Sequence, residues 1–239
     1  MAGSTLRIGK IVTTANQLSM RIDERFPNSG LLAVSKELVA MGDVARIQAP
    51  LIGRPNYSVR TAVGALIVVI LAIVASLIAA ARNNIDQITK TNLVDLMTAI
   101  ESGTNEIFLI GLVILFLVTL ETRIKRSRTL RNIHELRSLA HVIDMHQLNK
   151  DPGYFRGPVV ATKSSPQRVL SLPELVRYLE YCSELLSITS KIAALYAQEM
   201  NDRVVLSAVG DIETLVTGLT QKIWQKLDIA GEIQSSIRH

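Results

Sequence analysis

The sequence predicts an all-α membrane protein in which a two-span transmembrane hairpin carries a cytoplasmic helical bundle. Three observations lead there. The 21 residues Thr61 to Ala81, between Arg60 and Arg82, carry no charge, and a second apolar run, Ile107 to Leu120, lies between Glu106 and Glu121. Outside these runs apolar residues recur at spacings of three and four, the period of a helix face, and no strand-like alternation occurs. Charge is also unevenly distributed. Residues 1–60 hold eight Lys/Arg against four Asp/Glu, residues 122–239 hold sixteen against twelve, and residues 82–106 hold two against four. Basic residues outside the hairpin and acid in its loop follow the positive-inside pattern. The expected place is a cell (inner) membrane, multi-pass, with both termini cytoplasmic.

The organisation expected is an N-terminal amphipathic helical pair (1–55), the hairpin (56–122) and a C-terminal cytoplasmic helical domain (123–239). Spans are placed at about 61–81 and 104–122, with an exoplasmic loop at 82–103. The net charge of +5 suits anionic lipid headgroups, so the bilayer rather than nucleic acid is the expected partner. Arg60, Arg82, Arg123, Lys125, Arg126 and Arg128 form a basic collar at the membrane interface. Neither run has a Trp or Tyr at its ends, and charge is therefore expected to set depth in place of an aromatic belt.

In chain order, Met1 to Thr5 has no basic region and no apolar core follows within thirty residues, so no signal peptide is expected. Ile8, Ile11, Ala15, Leu18, Ile22 and Phe26 mark the face of a first helix. Pro27-Asn28-Ser29-Gly30 ends it in a turn. A second helix is expected from Leu31 to about Arg46, with Val34, Leu38, Met41 and Ala45 inward, before Pro50, Gly53 and Pro55 break the chain. The first span reaches roughly 31 Å at 1.5 Å per residue, which matches a hydrocarbon core. Ala65, Ala72 and Ala79, with Ser76 and Ala80, give it small residues on one face. That pattern suits either helix packing in lipid or simple tolerance of alanine.

Between the spans, Thr91 or Asn92 caps a short helix with Leu93, Leu96, Met97 and Ile100 on one side, ending near Gly103. The second run covers only about 21 Å. Ser102 to Asn105 lengthens it, and the basic residues after Glu121 snorkel or mark the headgroups. From Thr122 there is no breaker until Asp151-Pro152-Gly153, so this span continues as one helix of more than forty residues. A loop with Pro152, Gly153, Gly157, Pro158 and Pro166 follows. Ser171-Leu172-Pro173-Glu174 is a capping box. The helix it opens carries one seam at Leu172, Leu175, Leu179, Cys182, Leu186, Thr189, Ala193, Tyr196 and Met200. A second seam runs beside it at Tyr178, Tyr181, Leu185, Ile188, Ile192 and Leu195. One seam suits a coiled coil, whereas two adjacent seams fit a helix with neighbours on both sides. A last helix carries Val205, Ala208, Ile212, Leu215, Leu219, Ile223 and Leu227. The N-terminal stripe and the two-seamed helix are expected to share one bundle.

Chemistry is sparse. There is no phosphate-binding glycine loop, dinucleotide fingerprint, zinc-protease helix or nucleophile elbow. The runs Thr61 to Ala81 and Ile107 to Leu120 inside the spans contain no Asp, Glu, Lys, Arg or His, which argues against a transporter. The lone Cys182 falls on an apolar face and reads as a buried structural thiol. His134, Arg137, His141 and Asp144 lie near one helical face and are candidates for a ligand site or a polar layer against the bundle. His146 points elsewhere, so no chelating face and no metal or other cofactor is expected. The expected function is a non-enzymatic integral membrane scaffold or signalling module, a homo-oligomer with a cytoplasmic protein partner. The alternatives are a small oligomeric channel or membrane-permeabilising effector gated by the bundle, and a metal- or ligand-binding protein centred on His134, His141 and Asp144.

Overall fold

The computed structural model describes residues 7–83, 93–157, 163, 165 and 169–238. Every regular element among them is a helix: α1 (Ile8–Arg25), α2 (Gly30–Gly53), α3 (Tyr57–Asn83), α4 (Leu93–Leu148), a 3₁₀ turn (Pro152–Phe155), α5 (Leu172–Glu199) and α6 (Arg203–Arg238). They belong to two compact units, Met1–Gly53 with Arg128–His239, and Arg54–Ser127. The proposed cap at Thr91 or Asn92, and Pro158 and Pro166 of the loop, lie outside the described residues.

In the first unit the N-terminal stripe behaves as its spacing predicts. Ile11, Ala15, Leu18, Ile22 and Phe26 are buried. Asn28 turns the chain at φ 59°, a left-handed conformation that asparagine tolerates better than most residues. The Ser29 hydroxyl then accepts the Leu32 N–H at 3.2 Å and caps α2, as short oxygen-bearing side chains do at helix starts. Between α1 and α2 the buried hydroxyls of Ser19 and Ser35 satisfy each other at 2.9 Å.

α5 is the central helix. Every residue of both its seams is buried, because α1 and α2 pack on it as well as α6. Ile133, Leu136, Leu139, Ala140 and Ile143 of α4 enter the same core. Its start is fixed by the capping box, where the Glu174 carboxylate accepts the Ser171 N–H at 2.8 Å and hydroxyl at 2.6 Å.

The contacts between helices give their directions. Phe26, at the end of α1, meets Tyr178 and Tyr181 edge-on at 5.4 and 6.2 Å. Gly30, at the start of α2, faces the His146 ring near the end of α4. Leu172 packs with Ala230 and Ile233 of α6. At the opposite end Asn132 Nδ2 donates to Gln48 Oε1 at 2.8 Å, and Gly53 lies against Glu199. Taken in order, α1, α2, the α4 portion, α5 and α6 therefore alternate in direction. Gly53, Arg128 and Arg203 all come at one end of this unit.

Two expectations about helix ends are corrected. α2 does not stop near Arg46 but runs through Pro50 to Gly53. Proline removes one intrahelical hydrogen bond, while buried Ala45 and Ala49 and the packed Ile52 hold the last turns against the core. Nor does a short helix end near Gly103. α4 passes through that glycine, and no described glycine has a positive φ. A glycine in a right-handed helix weakens it by about 1 kcal/mol without ending it. The expected continuation past Thr122 is present, since the same helix reaches Leu148.

Among the described residues two helices are long and apolar enough to cross a membrane. Val68, Leu71 and Ile73 of α3 and Ile107, Phe108 and Leu115 of α4 are exposed. α3 begins at Tyr57, an exposed tyrosine four residues ahead of the uncharged run.

Two substitutions test the core in thermal unfolding. Leu186→Ala, at a fully buried seam position, is expected to cost about 2–5 kcal/mol. Thr129 is buried in α4 with its hydroxyl unbonded, so Thr129→Val is expected to stabilise by about 1 kcal/mol. An unchanged or raised melting temperature in Leu186→Ala, or a lowered one in Thr129→Val, would contradict this packing.

Candidate functional site

The strongest polar cluster of the first unit lies where α4 ends. The α4 stripe Ile133, Leu136, Ala140, Ile143 places Gln147 next in register on the buried face, and Gln147 is 2% exposed. From α6, Lys226 reaches it and donates from Nζ to the Gln147 carbonyl at 2.6 Å and to Oε1 at 2.7 Å. That carbonyl belongs to the last turn of α4, where helix carbonyls lack intrahelical partners. A cation there also opposes the negative end of the helix dipole. Gln147 Nε2 in turn donates to Asp144 Oδ1 at 2.6 Å. Partial burial pulls the Lys226 ammonium below its ordinary value, against the pull of Asp151, Asp144 and Cys182.

Around this tie Cys182, Tyr178 and His146 are pushed toward their neutral forms. Burial raises the Cys182 thiol to about 12 and pushes the Tyr178 phenol up as well. The Lys150 ammonium sits 5.2 Å from the Tyr178 ring centre. Burial, reinforced by Lys150, lowers the His146 imidazole from 6.5. These shifts favour an unreactive packed layer, because the thiolate and the phenolate, which are the nucleophiles, are suppressed at neutral pH.

The sequence-derived site residues separate. His134, Arg137 and His141 are exposed on the outer side of α4. Asp144 is half-buried and engaged with Gln147. The four therefore do not form a polar layer against the bundle. The layer that exists is built from Gln147, Lys226 and Asp144, with His146 at its edge. Among the described residues no three His, Cys, Asp or Glu side chains are grouped to hold a metal ion. Sequence reasoning missed Gln147 and Lys226, although a signal was available. Both fall on apolar stripes, Gln147 four residues after Ile143 and Lys226 three after Ile223.

A shallow cleft of about 150 Å³ opens between α2 and α4, with Glu37 and Glu135 at its edge and Met41, Val44, Leu136 and Tyr196 among its walls. Burial raises the Tyr196 phenol, and a hydrogen bond with Asn132 opposes that shift.

In the second unit the collar residues have different roles. Glu121 accepts the Asn56 N–H at 2.8 Å, Arg60 Nε at 2.7 Å and Lys125 Nζ at 2.8 Å. Lys125 also donates to the Arg54 carbonyl at 2.5 Å. Arg60 and Lys125 are thus tied to one carboxylate that also holds the start of α3. Arg123 lies 5.2 Å from the Phe116 ring centre. Arg82 and Arg128 are exposed, and Arg126 is half-buried. Compared with protein families, curated proteins and solved structures, the chain matches none of them.

Two measurements check this site. Lys226→Ala leaves the buried Gln147 Oε1 without its donor, while the Gln147 carbonyl keeps the Lys150 N–H, and is expected to lower stability by about 1–3 kcal/mol in denaturant unfolding; an unchanged midpoint would contradict the tie. His146 has a folded value below its unfolded one, so its contribution is complete above 6.5 and is lost as pH falls below that value. The melting temperature is expected to fall on mild acidification, and His146→Gln to remove that part of the pH dependence. An identical pH profile in the variant would contradict the assignment.

Proposed function

We propose that the chain is a non-enzymatic integral membrane scaffold or signalling module. In this reading α3 and the first half of α4 form a two-span hairpin with a short exoplasmic loop. Both termini lie in the cytoplasm, and the helical unit built from α1, α2, the end of α4, α5 and α6 is presented there. The protein works as a homo-oligomer that engages a cytoplasmic protein partner.

The observation that carries this reading is α4 itself, a single helix from Leu93 to Leu148. Its early apolar residues Ile107, Phe108, Leu112 and Leu115 are exposed, and its late stripe is buried in the core of the first unit. Apolar side chains facing outward over the length of a span suit lipid, where a helix satisfies its own backbone groups. A continuous helix then transmits rotation or displacement between span and bundle. The suppression of Cys182 and Tyr178 as nucleophiles favours a binding role over a catalytic one. The distribution of charge supports the orientation.

The second reading, a small oligomeric channel or permeabilising effector gated by the bundle, draws on the small-residue face of α3. A single reconstitution separates the two. The scaffold reading expects a discrete oligomer by native mass spectrometry from nanodiscs, with no ion flux across liposomes. Reproducible flux moves the assignment to the channel, and a strict monomer without flux removes both.

A further inference from the structure

α2 is apolar on two opposite sides. Leu38, Gly42, Ala45 and Ala49 face the core. At about 100° per residue the side away from the core carries Ala40, Val44, Ile47 and Leu51, spaced four, three and four, of which Ala40 and Val44 line the cleft against α4. Ile47 and Leu51 are 65% and 55% exposed. A helix apolar on both sides has something to cover each. Ile47 and Leu51 belong to the last turns of α2, which reach the end of the unit where Gly53 meets Glu199, and α6 starts at that end with two more exposed apolar residues, Val204 and Leu206.

The surrounding charge identifies the cover. Arg128, Arg131 and Arg203 are exposed at this end. Of the nearby acids, Asp43 pairs with Arg46 at 3.2 Å and Asp202 accepts the Val204 and Val205 N–H groups at 3.0 and 3.3 Å in capping α6, which leaves Glu199 beside Gly53 against three exposed arginines. Exposed aliphatic side chains interleaved with arginine match the boundary between lipid headgroups and acyl chains. Continuity supports the same occupant. Gly53 lies only four residues before Tyr57, where the apolar helix α3 begins, and Arg128 lies on α4, seven residues after Glu121.

We infer that this end of the helical unit is a lipid-docking face, with Ile47, Leu51, Val204 and Leu206 in the interfacial region of an anionic bilayer and Arg128, Arg131 and Arg203 on its headgroups. The inference rests on the membrane reading above and adds a contact with anionic lipid made by the bundle itself. Docking of this kind gives the module a second state, lifted from the membrane, that loss of anionic lipid favours.

Spin labels on the full chain in proteoliposomes test it. Ile47→Cys and Leu206→Cys report on the face, Leu148→Cys on the opposite end of the unit, and Val68→Cys on the span; Cys182 is buried and does not compete for label. With phosphatidylglycerol present, labels at 47 and 206 are expected to gain oxygen accessibility and lose accessibility to a water-soluble nickel chelate, relative to 148. Pure phosphatidylcholine is expected to reverse that shift. If 47 and 206 match 148 while 68 stays lipid-embedded, docking is wrong and the span stands. If 68 is also water-accessible, the membrane reading itself fails. Shielding of 47 and 206 from both reagents assigns the face to a second copy of the chain and overturns the proposal.

Discussion

The architecture depends on the absence of a helix breaker between Leu93 and Leu148. Nearly every backbone hydrogen bond of an α-helix is made within the helix, so its backbone places no demand on the surroundings. Only the side chains choose. At Ile107, Phe108, Leu112 and Leu115 they are apolar and exposed; from Thr129 onward they form a stripe at spacings of four and three whose apolar members enter the core. One element therefore contributes to both compact units without a loop between them. The proposed transmission from membrane to bundle needs nothing more elaborate than this stiffness.

The bundle is specified by α5. Its two seams need covers on two sides, and they receive α1 and α2 together with α6. Because the long helices alternate in direction, the chain enters and leaves the first unit's core at defined ends. One end collects Gly53, Arg128 and Arg203; the other collects Phe26, His146, Leu172 and Lys226. Polar side chains finish the ends. Ser29 caps α2, Glu174 and Ser171 cap α5, and Lys226 completes the last turn of α4.

Much of this was legible in the sequence because a helix buried on one side leaves a stripe, and the stripes of α1, α5 and α6 are nearly unbroken. Less legible were the helix ends. Pro50 and Gly103 look like breakers, yet a buried alanine face and an ordinary right-handed φ carry the helix past each of them. The polar layer was least legible. His134, Arg137 and His141 drew attention through their chemistry, but they occupy the solvent side of α4. Gln147 and Lys226 were overlooked because glutamine and lysine are common on surfaces, and only their register on apolar stripes gives them away. Glu121 carried the same ambiguity. A carboxylate after an apolar run reads as a boundary charge, whereas its bonds to Asn56, Arg60 and Lys125 make it the fastener of the α3 start.

Continuity of α4 is most directly tested by amide hydrogen exchange on the full-length chain in nanodiscs, read residue by residue from Glu121 to Ile133. An unbroken helix predicts slow exchange through Ser127 and Arg128, with no gap in protection between the residues flanking the apolar run and those buried in the core. A cluster of rapidly exchanging amides at 124–130 would contradict it, and would leave the two units as separately moving bodies joined by a flexible link.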